Sequence, residues 1–173
     1  MKLVASLGTS PGGILETFEY LRGRGIEVND IVIVKTKDSA VSKAYDYLLS
    51  MFSCCVKLRY NDVMMGAIDL PFSDITTSDD LNELMKIVSP AINQGDYVDI
   101  TGGRKAISMV MGLIAMKRKA HVVTTIVSQS KYNEVQEKLR KGHQPVTQNC
   151  SPSDKEFFCS LLSSDAVTIE INL

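Results

Sequence analysis

The stretch "KLVASLGTSPGGILETF", Lys2 to Phe18, decides the fold. It begins with a short apolar run that lacks strict alternation, the pattern of a strand covered on both faces. It ends with Ile14, Leu15 and Phe18, which together with Leu21 share one face of a helix. Between the two lies "SLGTSPGG", Ser6 to Gly13, rich in glycine and hydroxyl side chains. Strand, glycine-rich turn and helix make the opening unit of a parallel sheet. The turn raises the question of what approaches its backbone so closely that side chains are absent.

The same unit recurs. Short β-branched runs stand at Asp30 ("DIVIVKT"), Asp96 ("DYVDITGG") and His121 ("HVVTTIV"), with "VKLRY" at Val56 a weaker strand candidate, an edge at most. Helical faces fall between them: Val41, Ala44, Leu48, Met51 and Phe52 in one segment, and Leu81, Leu84, Met85 and Val88 in the next, which Pro90 kinks or ends. The order β-α-β-α-β-α-β-α-β predicts an α/β, Rossmann-like core with a mainly parallel sheet and right-handed crossovers. "RKAISMVMGLIAMKRKA" from Arg104 is apolar nearly all round, which predicts two covers for that helix: the sheet, and either a loop or another subunit. From about residue 151, "SPSDKEFFCSLL" has the serine and proline of a helix start, and "AVTIEINL" alternates as a final strand. The whole chain, 1–173, reads as one domain with this helix–strand extension.

Composition narrows the function. The 19 Lys+Arg against 20 Asp+Glu leave a net charge of −1, so no wide basic surface for a long nucleic acid is expected, although a small phosphate-bearing ligand needs only a few local cations. The opening apolar run is too short for a signal-peptide core or a membrane span, which predicts a cytoplasmic protein without a membrane partner. Cys54, Cys55, Cys150 and Cys159 show no CxxC pattern and are read as buried or incidental thiols, with no metal site and no cofactor expected. His121 and His143 have no recognisable partner and are assigned no chemistry.

The two glycine-rich loops carry the functional signal. "GTSPGG" follows the first strand and opens the first helix; "DITGGRK" follows the fourth strand and opens the fourth helix, so both project from one edge of the sheet. Neither is a P-loop or GxGxxG, and either alone reads as a tight turn needing glycine. Together, Thr9, Ser10 and Thr101 as hydroxyl donors and Arg104 with Lys105 as cations point to a phosphate or ribose-phosphate site. The expected ligand-binding set is Gly8, Thr9, Ser10, Gly12, Gly13, Thr101, Gly102, Gly103, Arg104 and Lys105.

These loops, quoted as "SLGTSPGG" and "DITGGRKAISM", and the β-α order resemble the CARF domain, the CRISPR-associated Rossmann-like sensor of cyclic oligoadenylates. The likeness spans most of the chain, and the "DKEFFCSLL" tail resembles the standalone ring nucleases of type III CRISPR systems, which cleave cyclic tetra-adenylate. The resemblance implies a homodimer with the ring across its interface, and metal-independent attack of a ribose 2′-hydroxyl on the adjacent phosphate. It also implies catalytic roles for Ser10 and for Lys155, the late lysine, with Arg104 and Lys105 gripping phosphates. Plainer readings stand beside these: Ser10 as a helix cap, and the three basic residues as solvated surface charges. Two other functions remain open, a non-catalytic sensor acting through a separate partner and an unrelated Rossmann-like protein binding a mononucleotide.

Overall fold

The computed structural model describes residues 1–172. Six strands form one sheet: β1 (Lys2–Ser6), β2 (Asp30–Lys35), β3 (Met64–Asp69), β4 (Tyr97–Asp99), β5 (His121–Ile126) and β6 (Val167–Ile171). Six helices accompany them: α1 (Ile14–Gly23), α2 (Ser39–Met51), α3 (Ser78–Val88), α4 (Lys105–Lys117), α5 (Gln129–Lys141) and α6 (Pro152–Ser160). The strand order is β3-β2-β1-β4-β5-β6, parallel except for β6, which runs antiparallel to β5. The expected α/β architecture, the final strand and the helix before it are all present.

The pleat of the central strands sorts the core into two layers. On β1, Leu3 and Ala5 point into one apolar cluster and Val4 into the other. The first layer packs Phe18 and Leu21 of α1, Leu48 and Met51 of α2, Val135 of α5 and Phe158 of α6. The second packs Leu84 and Val88 of α3 with Val110, Met111 and Ile114 of α4. Burial of β1 on both faces is why its run lacks alternation.

Several expectations are corrected. "VKLRY" is not a strand: Phe52–Val56 forms a π-helical turn continuing α2, and the Lys57 ammonium donates to the Asn61 and Val63 carbonyls, closing a tight loop. The edge strand is β3, "MMGAID", instead. Met85 is half exposed rather than core. The cysteines are not thiols but two disulfides, Cys54–Cys150 and Cys55–Cys159, which staple both ends of α6 to the π turn. His143 does have a partner, Asp154, at 2.8 Å, and stacks on Phe157.

Among the described residues, no loop supplies the second cover expected for α4. Within the chain it buries Ile107, Val110, Met111, Ile114 and Ala115, while Met109, Leu113 and Met116 form an exposed apolar stripe. None of the helices among the described residues is long and apolar enough to cross a membrane.

Candidate functional site

The chain runs outward from β1 in two directions, to β2 and β3 on one side and, after α3, to β4 and β5 on the other. The gap between the carboxyl ends of β1 and β4 is therefore the switch point, where an open parallel sheet offers a crevice. Both glycine loops emerge there. A cavity of about 390 Å³ opens beside them, lined by Gly8, Thr9, Ser10 and Gly12 from the first loop and Thr101, Gly102 and Gly103 from the second. Glu16, Thr125, Gln129 and Tyr132 close its other walls.

The glycines of the two loops are explained mainly by each other. A Cβ on Gly8 would lie 3.0 Å from the Gly103 nitrogen, and one on Gly102 would lie 2.9 Å from the Ser6 carbonyl oxygen. Gly103 adds a φ of +90° and Gly13 a φ of +103°, conformations that favour glycine. Ser6 and Ser108 both donate to the Gly102 carbonyl, locking the loops in contact. Gly12 differs, because its Cβ position is crowded only by Ser10 Oγ at 3.7 Å. It leaves backbone exposed to the cavity.

Helix starts divide along the same line. α2, α3, α5 and α6 begin on Asp38, Thr77, Ser128 and Ser151, each accepting a backbone N–H. α4 starts on Arg104 without any capping side chain, so its first amides are available to an anion. α1 starts on Gly13, whose N–H donates to the Glu16 carboxylate at 3.2 and 3.3 Å. Ser10 is therefore not the cap of α1. Its Oγ accepts only a long bond of 3.4 Å from the Gly12 N–H, which leaves its own proton for a ligand.

Thr101 is placed differently from Thr9 and Ser10. Its hydroxyl donates to Asp99 Oδ1 and accepts from the Thr125 N–H at 2.7 Å, so its proton serves the fold. Asp99 is fully buried at the end of β4, and its second oxygen has no hydrogen-bond partner among the described residues. Burial raises its pKa to about 6. Glu16 is also buried, and burial raises its pKa to about 7, against the backbone N–H bonds from Gly13 and Ser163.

Cations border the cavity rather than line it. Arg104 lies beside an adjoining hollow of about 190 Å³ that shares Gly8, Thr9 and Gly103, with Asp74 at 3.6 Å from its guanidinium. Lys43 and Arg140, which the sequence did not single out, line another hollow that reaches Thr9. Lys105 and Lys155 are exposed and stand outside these three hollows, so the structure joins the glycine loops and Arg104 but leaves those two lysines apart. No group of three or more His, Cys, Asp or Glu side chains among the described residues is arranged to hold a metal ion.

Comparison with known proteins identifies the family. The model for CRISPR-associated protein NE0113 matches residues 10–163, from the first glycine loop to the segment beyond α6. The chain belongs to the Cas_NE0113 family of CRISPR-associated proteins. A relative from Saccharolobus solfataricus, named CRISPR system ring nuclease SSO2081, is 37% identical over 177 residues, covering 100% of this chain and 99% of the relative. The fold is also that of a structure of Enterococcus italicus Csm6 bound to cyclic hexa-2′-fluoro-hexa-dAMP, with a TM-score of 0.57 and 13% identity. That likeness covers 99% of this chain but 42% of the longer Csm6 chain. The similarity to the Saccharolobus relative spans the whole chain, both glycine loops included.

Proposed function

We propose that this chain is a cytoplasmic ring nuclease that removes a cyclic tetra-adenylate second messenger of type III CRISPR signalling. The observation that carries the reading is the switch-point cavity, walled by two glycine loops, adjoining the uncapped start of α4, and sized for one nucleotide of a ring. The full-length relative named as a ring nuclease supports it.

The reaction is an internal transesterification. A ribose 2′-oxygen bonds to the neighbouring phosphorus while the P–O5′ bond breaks, giving a 2′,3′-cyclic phosphate and a 5′-hydroxyl that takes up a proton. Two cuts of the four-membered ring release linear di-adenylate. The protein's task is to align the 2′-oxygen with the departing oxygen and to stabilise charge on the phosphate. Ser10, with its uncommitted proton, donates to the phosphate or orients the 2′-hydroxyl, and the open backbone at Gly12 lets the ring approach. The first amides of α4 and Arg104 bind phosphate oxygens. Lys105 and Lys155 act on phosphates of the same ring that extend beyond the cavity. For Lys155 this requires the ring to reach toward α6.

A homodimer completes this reading. The stripe Met109, Leu113 and Met116 lies on the helix that starts at the cavity, so a two-fold contact there joins two cavities. A four-membered ring contains a two-fold axis and is gripped alike by both copies.

Incubation of the full chain with cyclic tetra-adenylate in EDTA, with products resolved by mass, tests the proposal. Linear di-adenylate bearing a cyclic phosphate is expected, with Ser10→Ala and Lys155→Ala each slowed roughly a hundred-fold or more. An intact ring held tightly would instead make the protein a sensor acting through a partner.

A further inference from the structure

The cavity contains one ionisable side chain that the cleavage chemistry leaves unused. Glu16 lines it, is 7% exposed, and forms no ion pair among the described residues. Its carboxyl group is fixed in place by long backbone bonds from Gly13 at 3.2 and 3.3 Å and from Ser163 at 3.5 Å. A carboxylate at the start of α1 also occupies the amide where a phosphate would otherwise sit. That wall is thus unsuited to phosphate and suited to a base.

We propose that Glu16 reads the base of the bound nucleotide, pairing its carboxyl group in the neutral form with the donor–acceptor edge of an adenine. This rests on the cyclic tetra-adenylate reading and adds to it the residue that selects the base. A neutral carboxyl offers one acceptor and one donor, which match the N6 amino group and N1, or N6 and N7, of adenine. An ionised carboxylate offers acceptors only. It cannot donate to N1 or N7, so half of the pairing is lost.

The surroundings favour the neutral form. Burial is the main cause, and the Glu19 carboxylate one turn along α1 adds to it. Thr125 of β5 also walls the cavity and does not titrate. Beyond α6, Ser163 approaches with its N–H while its hydroxyl donates to Asp165, another acidic group.

Binding of 2′-deoxy cyclic tetra-adenylate, which lacks the attacking hydroxyl, and of its 1,7-dideazaadenine counterpart, which keeps the N6 amino group but lacks the N1 and N7 acceptors, tests the inference in the full chain at pH 5.5 and pH 8.5. The wild type is expected to prefer the adenine ring at least tenfold at pH 5.5 and to lose most of that preference at pH 8.5. Glu16→Gln keeps one donor and one acceptor, so it is expected to retain the preference at both pH values. Glu16→Ala is expected to discriminate poorly at both. A pH-independent preference in the wild type, or a preference that Glu16→Gln abolishes, would overturn the role of Glu16. If the wild type binds neither ring, the cyclic tetra-adenylate reading itself falls, and the base-reading role falls with it.

Discussion

A methyl group at Gly102 would press on the Ser6 carbonyl oxygen, and one at Gly13 on Thr101 Cγ2 at 2.8 Å, whereas one at Gly12 would meet only a serine hydroxyl at ordinary distance. These three positions separate loop packing from ligand approach. Gly102→Ala and Gly13→Ala are expected to lower stability by about 1–3 kcal/mol in thermal or urea unfolding, because rigid backbone or a packed threonine must move. Gly12→Ala is expected to leave stability within about 0.5 kcal/mol of the wild type and to slow ring cleavage. A Gly12→Ala protein with full activity would show that the ring does not touch that backbone. The pH dependence of stability belongs to the same scale. Glu16 has its folded pKa raised from 4.5 to about 7, and Asp99 from 3.8 to about 6, so the folded state holds protons that the unfolded chain has released. Their contribution is full below the unfolded values and declines as pH rises to the folded ones. Stability is therefore expected to fall between about pH 4.5 and 7, by about 3 kcal/mol from Glu16, and Glu16→Gln should flatten that fall in urea titrations. The positions of the glycine loops were legible in the sequence, since glycine reports backbone constraint directly. Glu16 and Asp99 were not, because a carboxylate in a helix start or at a strand end looks the same in sequence whether it is buried or solvated.

α6 shows what pairing across the chain adds to an element. Cys150 precedes it and Cys159 lies near its end, and both bond to the adjacent Cys54 and Cys55 in the π turn after α2. The separations of 96 and 104 residues make each a long-range closure. A single closure of that size removes denatured-chain entropy equivalent to about 4–5 kcal/mol in the loop-closure model, and the second adds less because the loops overlap. Reduction is expected to lower the melting temperature by more than 10 °C. It should also free α6, seen as faster amide exchange over residues 150–160 and slower cleavage if Lys155 works from that helix. An unchanged melting temperature in reductant, with free thiols confirmed by alkylation, would refute the staple. Neither disulfide was legible, because residues so far apart in the chain carry no local signal of pairing. β3 was missed for a different reason. "MMGAID" is apolar, but it carries Met, Gly and Ala where β1, β2 and β5 carry β-branched residues, and it lies at the sheet edge with mostly exposed side chains; its register with β2 is set by backbone pairing from Asp30↔Met64 to Lys35↔Asp69. The central strands were legible because burial on both faces leaves no choice of residue type.

At the scale of the whole molecule, the helix that begins at the cavity is also the one left half uncovered. Met109, Leu113 and Met116, exposed by 61%, 56% and 51%, recur at helical spacing on the face of α4 away from the sheet. Leu81 and Ile87 of the neighbouring α3 are partly buried against the same apolar layer, while Met85 remains half exposed. A second copy related by a two-fold axis through this surface would shield it and bring the two α4 amino-terminal ends, with Arg104 and Lys105, around one ring. The sequence carried half of this, since an all-round apolar helix requires two covers, but it could not say which residues the monomer leaves open. Leu113→Glu places a charge at the centre of the stripe while touching none of the cavity residues. Sedimentation at micromolar protein is expected to shift from dimer to monomer, with circular dichroism unchanged. Ring cleavage should fall by more than a hundred-fold, because in the proposed dimer one copy supplies only half of the phosphate contacts. A monomeric Leu113→Glu protein that still cleaves the ring at the wild-type rate would confine the chemistry to a single cavity. The exposed stripe would then have no part in the reaction.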